Sequence, residues 1–221
     1  MKKSILIINI IMFIAIFIGC ISFIITRSLF IKGIACLGFV LMGLVNHIYC
    51  IKIKKLNIKY CNFIFAGLLT AAVADIVINM HFISGVILFI IGHMAFYTAQ
   101  CFVRKIYASD FIYSIVLALS SLAFLFFFPG INITNQSLKI VCIAYALIIS
   151  LMAGKSIANA CILKNLFCIL ISVGCILFFL SDMCLAINIF TKIWKDSIIV
   201  CLLTYYPAQC LLAFSILFSS K

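Results

Sequence analysis

The 221-residue sequence is 68% hydrophobic and only 9% charged, and its mean hydropathy is +1.41. A soluble domain of this length needs far less apolar surface, so the composition excludes a soluble globular fold and indicates a protein that crosses a membrane many times. The net charge of +12 does not indicate a nucleic-acid partner, because the basic residues lie in short loops between apolar runs, where anionic membrane lipids are a sufficient partner.

Eight apolar runs follow one another along the chain, each close to the roughly 20 residues that a helix needs to cross a bilayer. In chain order they lie near residues 4–26, 30–50, 61–80, 83–103, 110–128, 138–154, 165–189 and 197–219. The sequence therefore predicts an all-α polytopic membrane protein with eight transmembrane helices. Residues 1–221 are predicted to form a single transmembrane domain with short loops.

The basic residues are unevenly divided between the two sides that these spans create. Eleven lie at the two termini or in the loops after the second, fourth and sixth spans: Lys2, Lys3, Lys52, Lys54, Lys55, Lys59, Arg104, Lys105, Lys155, Lys164 and Lys221. Five lie on the opposite side: Arg27, Lys32, Lys139, Lys192 and Lys195. Because basic residues are enriched in cytoplasmic loops, both termini are predicted to be cytoplasmic.

Two pairs of similar segments indicate an internal repeat. Residues 97–101 read YTAQC and residues 206–210 read YPAQC, while residues 74–82 (ADIVINMHF) resemble residues 181–190 (SDMCLAINIF). Helix three would then match helix seven, and helix four would match helix eight. Because four helices preserve orientation, residues 1–108 and 109–221 are predicted to be parallel repeats related by an axis along the membrane normal.

Two of the four acidic residues, Asp75 and Asp182, fall inside apolar spans. An intramembrane carboxylate costs about 2.5–3.5 kcal/mol on insertion scales, so such a residue is a functional candidate by default. Both are predicted to lie in one layer nearer the non-cytoplasmic side. Lys32 and Lys139 fall nearer the outer helix ends, so no basic residue is expected at the depth of the aspartates. The pair is therefore expected to rest as one protonated carboxyl and one carboxylate.

Helical spacing predicts further polar residues in the same layer. One face of helix three carries Gly67, Ala71, Asp75 and Asn79, one face of helix four carries Gly85, Phe89, His93, Tyr97 and Gln100, and helix eight carries Tyr205, Gln209 and Ala213. Each has a structural alternative. The aspartates can lock helices through hydrogen bonds, His93 can be a packing residue, and the hydroxyls of Tyr97 and Tyr206 can simply be satisfied by neighbours.

The twelve cysteines lie mostly within the spans and form no C-x-x-C pair, which is typical of small apolar packing residues. Cys161, Cys168, Cys175 and Asp182 are spaced seven apart and predict an inward-facing stripe on helix seven. The three histidines, His47, His81 and His93, are scattered, so the sequence offers too few ligands for a metal site, and neither a metal nor another cofactor is expected.

Four short motifs in the sequence resemble those of a known family. Residues 82–97 (FISGVILFIIGHMAFY), the Ala74–Asp75 pair before them, FFLSD ending at Asp182, and TYYPAQ ending at Gln209 are together similar to the YhhN-like lysoplasmalogenase family over about residues 28–217. The resemblance implies an eight-helix membrane enzyme that hydrolyses the vinyl ether bond of lysoplasmalogens to a fatty aldehyde and a glycerophospho-alcohol. Ala74 stands where the family usually has glycine, and Gly33 stands where it often has proline, but neither change removes a reactive group.

The implied chemistry suits the candidate residues. A vinyl ether hydrolyses by protonation at carbon, and a carboxylic acid beside a carboxylate can supply the proton and stabilise the resulting cation, as in glycosidases. Asp75 and Asp182 are predicted to form this pair, and the sequence does not indicate which of the two is the acid. The predicted site is completed by His93, Tyr97, Tyr206 and Gln209, which would orient water or the ether oxygen, by Lys32, which would hold the lipid phosphate, and by Asn79 and Ser181.

Other functions remain open at this stage. Paired intramembrane acids and repeats also fit a proton-coupled transporter. An intramembrane aspartyl protease needs a G-x-G-D sequence that is missing, a zinc lipid hydrolase needs more clustered histidines, and a non-catalytic scaffold would tolerate loss of both aspartates. The expected partners are a lysophospholipid substrate and membrane lipids, and the Ile-, Lys-, Asn- and Phe-rich composition favours a bacterial inner membrane.

Overall fold

The computed structural model describes residues 3–53, 57–191 and 193–219. This part of the chain contains eight α-helices and one terminal 3₁₀ turn, and none of its residues forms a β-strand. In chain order the elements are α1 (Lys3–Thr26), α2 (Leu29–Ile53), α3 (Ile58–Val77), α4 (Phe82–Val103), α5 (Asp110–Phe127), α6 (Gln136–Leu163), α7 (Leu166–Phe190), α8 (Ser197–Ser215) and the 3₁₀ turn Ile216–Phe218.

All eight α-helices are long and apolar enough to cross a membrane, so the chain is an integral membrane protein and the predicted fold class is confirmed. Helices are the natural solution here, because every backbone polar group must be satisfied internally within a bilayer. Five residues that entered the charge count, Lys2, Lys54, Lys55, Lys192 and Lys221, lie outside the described residues. The cytoplasmic placement of the termini stays a prediction.

Helix ends are fixed by local side-chain caps. Asn57, Asn135 and Asn165 each accept a hydrogen bond from the backbone N–H three residues later, which satisfies a free donor at the starts of α3, α6 and α7. His81 caps α4 in the same way, accepting from the backbone N–H of Ser84. The expected end of the sixth span at residue 154 was wrong, because α6 continues to Leu163 with small residues that pack inside the protein.

Small residues allow the helices to pack closely. A side chain at Gly67 in α3 would come within 2.4 Å of the Phe96 ring of α4, and one at Gly154 in α6 would come within 2.5 Å of the Ser114 backbone of α5. Close approach at glycine is a common way for membrane helices to gain packing contacts. These glycines therefore fix two helix pairs that surround the interior of the bundle.

The two halves of the chain share a pattern of neighbours. Within each half, consecutive helices pack against each other, and the halves meet where α4 packs on α6 and where α8 packs on α2. A reciprocal pair of 2.8 Å amide hydrogen bonds between Asn9 and Asn46 also ties α1 to α2, and Asn46 continues to the Ala213 carbonyl of α8. The superposition of the two halves as repeats stays a prediction.

The middle of the bundle is an aromatic cluster. Phe178 of α7 packs edge-on against His93 of α4, with ring centroids 4.6 Å apart, and against Tyr205 of α8 at 5.2 Å. Phe89 contacts the same three rings. Phe89 and Tyr205 of this cluster also line the cavity described below, which opens where α1, α3 and α7 finish and the next helices begin.

Candidate functional site

A cavity of about 380 Å³ opens between the helix ends, and both intramembrane aspartates line it. Its wall is built from the ends of α1, α3 and α7 and the beginnings of α2, α4 and α8. The polar residues that line it are Arg27, Lys32, Asp75, Asn79, Ser181, Asp182, Asn188 and Tyr205, and the remainder are mainly aliphatic and aromatic. A concave site with a few converging polar groups and an apolar wall has the general form of a small-molecule site.

Asp75 is held as part of an ion pair. The ammonium of Lys32 lies 3.1 Å from Asp75 Oδ1 and also donates a 2.8 Å hydrogen bond to the backbone carbonyl of Asp75. The hydroxyl of Tyr205 donates to Asp75 Oδ2, and the thiol of Cys36 lies 3.4 Å from the same oxygen. Asp75 is therefore surrounded by hydrogen-bond donors, one of which is a lysine ammonium.

Asp182 has a different set of partners. The hydroxyl of Tyr145 donates a 2.7 Å hydrogen bond to Asp182 Oδ2 and lies 2.8 Å from His93 Nε2. His93 Nε2 itself is 3.9 Å from Asp182 Oδ2. Within the described ranges, no lysine or arginine forms an ion pair with Asp182. The two aspartates therefore share one cavity but have unequal electrostatic surroundings.

The sequence matches the YhhN family over residues 28–216, which is most of the chain. The chain belongs to the YhhN family. Neither the search of curated proteins nor that of solved structures yields a match to the chain. The cavity and its two aspartates lie almost entirely within the matched residues, and Phe23 and Arg27 are the two lining residues outside them.

The position of Lys32 corrects an expectation. The sequence predicts no basic residue at the depth of the aspartates, because Lys32 falls near the outer end of the second span. In this YhhN-family protein Lys32 lies three residues after the start of α2 and Asp75 lies two residues before the end of α3, so both are near the same end of the bundle. The ammonium reaches Asp75, and Lys32 is only 8% exposed. Long basic side chains can place their charge well away from their own Cα.

Other predicted residues fall into two groups. Asn79 and Ser181 line the cavity, and Asn79 donates to the backbone carbonyl of Asp75 at 2.6 Å. Tyr97, Tyr206 and Gln209 do not line it. Tyr206 is buried beside the Cys36 thiol, at 3.9 Å, and Gln209 is fully buried without a hydrogen-bond partner for its amide among the described residues.

Three residues of the site were not singled out from the sequence. Tyr145 resembles any aromatic residue in an apolar helix, and Tyr205 is predicted to lie on a polar helix face and within the TYYPAQ motif but is not assigned to the site. Arg27 was counted only as a loop charge, but it lines the cavity mouth with an exposed side chain. Arg27 lies in the turn between α1 and α2 and has a positive φ of 55°.

The described residues contain a second buried ionic cluster at the opposite end of the bundle. Asp110, at the start of α5, accepts from Arg104 and from Lys155, whose ammonium is 2.6 Å from Asp110 Oδ2. Lys155 also donates to the Lys105 carbonyl, and it is almost fully buried within α6. Its predicted position in a loop after the sixth helix was therefore wrong.

The prediction of an inward-facing cysteine stripe on helix seven was also only partly correct. Cys168 and Cys175 are buried on α7, but Cys161 belongs to α6 and is exposed. The heptad spacing crosses a helix boundary, so it does not describe one face. No group of three or more His, Cys, Asp or Glu side chains in residues 3–53, 57–191 and 193–219 is arranged to hold a metal ion.

Proposed function

We propose that this YhhN-family protein is a membrane-embedded hydrolase that cleaves the vinyl ether bond of single-chain, lysoplasmalogen-type phospholipids. The observation that carries the proposal is the pairing of two aspartates in one cavity with different surroundings, one beside a lysine ammonium and one beside a tyrosine hydroxyl. Environments that separate the protonation of two carboxyl groups are typical of sites that need one acid and one carboxylate.

The surroundings support a distinct role for each aspartate. Asp182 accepts from the Tyr145 hydroxyl and has no lysine or arginine partner among the described residues, with His93 Nε2 3.9 Å away, so it is assigned as the proton donor. Asp75 is neutralised by Lys32 and hydrogen-bonded by Tyr205, so it is assigned as the carboxylate. A lysine ammonium at ion-pair distance together with a hydroxyl donor is a common set of partners for a carboxylate in proteins.

The proposed reaction balances with water alone. Asp182 donates a proton to the outer carbon of the C=C bond, and the electron pair of that bond forms the new C–H bond, leaving an oxocarbenium ion at the carbon bound to oxygen. Water attacks this carbon and gives a proton to Asp75. The hemiacetal then collapses: its hydroxyl proton passes to Asp182, the bond to the glycerol oxygen breaks, and that oxygen takes the proton held by Asp75, which restores both carboxyl groups to their starting states. The products are a fatty aldehyde and a glycerophospho-alcohol.

Arg27 is better placed than Lys32 to bind the phosphate of the lipid headgroup. The Lys32 ammonium is already engaged by Asp75, whereas the Arg27 guanidinium has no ion-pair partner among the described residues and lies at the cavity mouth. Guanidinium groups bind phosphate oxygens in a bidentate manner. The amide of Asn188 lines the same cavity and offers a further donor.

The direct test is aldehyde release from a lysoplasmalogen by the purified protein in detergent. The matching lysophospholipid with a saturated ether bond is the substrate control, since it cannot be protonated at carbon. Asp182→Asn and Asp75→Asn are each expected to lower the rate at least 100-fold, and Asp196→Asn, at an exposed residue outside the cavity, is the matched variant control.

Two results would overturn the proposal. One is full aldehyde release by either folded intramembrane variant. The other is no aldehyde from a folded native protein that instead moves protons or a solute across vesicles in response to a pH gradient, which would support the transporter.

A further inference from the structure

A smaller, apolar pocket of about 70 Å³ adjoins the cavity on the side away from Lys32. We refer to it as the side pocket. The two spaces share Ile78, Phe82, Phe89, Asp182, Leu185 and Ile189 in their walls. The remaining wall of the side pocket comes from α4, from the second half of α5, from the first half of α6 and from α7. Asp182 therefore lies where a polar space meets an apolar one.

The lining of the side pocket offers almost nothing to a polar ligand. Its polar members besides Asp182 are Tyr145 and Ser121, and each already has protein partners: the Tyr145 hydroxyl bonds to Asp182 and lies by His93, and the Ser121 hydroxyl bonds to the Ala118 carbonyl. A polar group entering this space would lose its hydrogen bonds to water without replacement. The pocket therefore favours hydrocarbon.

The side pocket lies at the edge of the bundle. Helix α5 packs chiefly on α6, and its main packing partners in the described residues do not include α7. Ile189, in the shared wall, is 41% exposed on the flank of the bundle. A hydrocarbon chain can therefore reach Asp182 from the membrane by passing between α5 and α7.

We infer that the side pocket binds the carbons next to the ether bond of a single-chain lipid, and that the gap between α5 and α7 is the path by which that chain enters from the bilayer. This inference rests on the proposed function for the reaction, but chain binding can be measured without it. The headgroup would then lie in the larger cavity near Arg27, and the C=C bond would lie beside Asp182.

The size of the pocket limits how much of the chain it holds. A cavity needs about 10–15 Å³ of accessible volume to hold one water-sized group. The side pocket, at about 70 Å³, therefore accommodates roughly five to seven carbon atoms. The rest of a longer chain would stay in the bilayer. Catalytic efficiency should therefore rise with chain length up to roughly seven carbons and then change little.

The primary test is photo-crosslinking of the native protein in nanodiscs. The probe is a single-chain alkyl ether phosphocholine, which is not hydrolysed, with a diazirine on the fourth carbon of its chain. Label is expected on α5, α6 or α7 residues that line the side pocket, such as Leu125, Cys142 and Met183. Label confined to other surfaces would overturn the inference, and this readout needs no variant to fold.

A blocking variant gives the second test. Ala186 lines the side pocket, and Ala186→Phe should fill it and lower both labelling and long-chain hydrolysis at least tenfold. A water-soluble propenyl ether, with only three carbons, should still be hydrolysed within about threefold of the native rate, which separates a defect in chain entry from a defect in chemistry. Ala123→Phe, at an exposed position of α5 outside the pocket, is the matched control and should behave like the native protein.

The outcomes separate the two proposals. Labelling of the side pocket without aldehyde from any vinyl ether would refute the proposed reaction and leave the chain site standing. Aldehyde release by the native protein together with unchanged long-chain hydrolysis by folded Ala186→Phe would refute the chain site and leave the reaction standing.

Discussion

Lys32 and Asp75 depend on each other. Because the ammonium contacts both the carboxylate and the backbone carbonyl of Asp75, removing either residue leaves the other partly buried without its main partner. Loss of one partner from a buried ion pair destabilises proteins strongly, whereas replacing both with apolar residues of similar size is often tolerated. Stability and activity should therefore respond differently to single and double substitutions here.

Lys32→Met is expected to lower stability by about 3 kcal/mol and to lower vinyl ether hydrolysis at least tenfold. Lys32→Met with Asp75→Leu should recover most of that stability but should have no activity. Thermal unfolding in detergent and aldehyde release check the two effects. Equal melting temperatures for the native protein and Lys32→Met would show that the ion pair does not stabilise the protein.

Tyr145 is predicted to position Asp182 and to link it to His93. Tyr145→Phe removes the hydroxyl that contacts both groups, so kcat should fall about 10–100-fold with little change in melting temperature. Tyr97→Phe is the matched control, because Tyr97 is on the same helix as His93 but does not line the cavity. Equal losses for the two variants would contradict this distinction and would favour the residue set predicted from the sequence.

The residue scale is also where the sequence was least informative. Asp75 and Asp182 could be selected because a carboxylate is unusual in an apolar span. Tyr145 could not, since tyrosine is a common packing residue, and Tyr205 could be placed only in the same layer. Only the fold shows that both hydroxyls reach the aspartates. Likewise, Tyr97 and Tyr206 are of a residue type that suits the site, but neither side chain lines the cavity.

At the scale of helices, the Asp110 cluster connects three elements. Arg104 follows α4, Asp110 begins α5, and Lys155 comes from the last third of α6, so one carboxylate receives two basic groups from different parts of the chain. The cluster lies at the end of the bundle opposite the cavity. We therefore expect it to stabilise the helix arrangement and to have no direct part in hydrolysis.

Asp110→Asn should lower the melting temperature by roughly 6–12 °C, since about 3 kcal/mol is lost when a buried charge loses its partner. The activity per folded molecule should stay within about twofold of the native value. Scanning fluorimetry and aldehyde release measure the two quantities, with Asp196→Asn as the exposed control. A large loss of activity at unchanged stability would assign the cluster a catalytic or regulatory role.

Helix number and approximate position could be predicted because each span must be about 20 apolar residues long. Helix ends could not always be predicted, and α6 shows why. From the sequence Lys155 predicts a loop, since lysine is usually exposed, but Asp110 and the Lys105 carbonyl satisfy its charge inside the protein. A buried lysine with partners distant in sequence has no local signature.

At the scale of the whole molecule, the direction of insertion determines which side the cavity faces. Both termini are predicted to be cytoplasmic from the lysine distribution, which places the cavity mouth on the other side. A fluorescent reporter that matures only in the cytoplasm should be active when fused to the C-terminus, whereas a phosphatase reporter that folds only outside it should be inactive there. The opposite pattern would reverse the orientation and place the Arg27 site on the cytoplasmic side.

The Lys32–Asp75 pair also bears on how the chain enters the membrane. During synthesis α2 emerges before α3, so Lys32 reaches the bilayer before its partner has been made. A lysine or an aspartate deep in a bilayer costs about 2.5–3.5 kcal/mol on insertion scales, and neither charge is neutralised until both helices are present. Helices α2 and α3 should therefore insert most readily as a joined hairpin, and a variant at either residue should reduce the yield of correctly inserted chains even where the finished protein tolerates it.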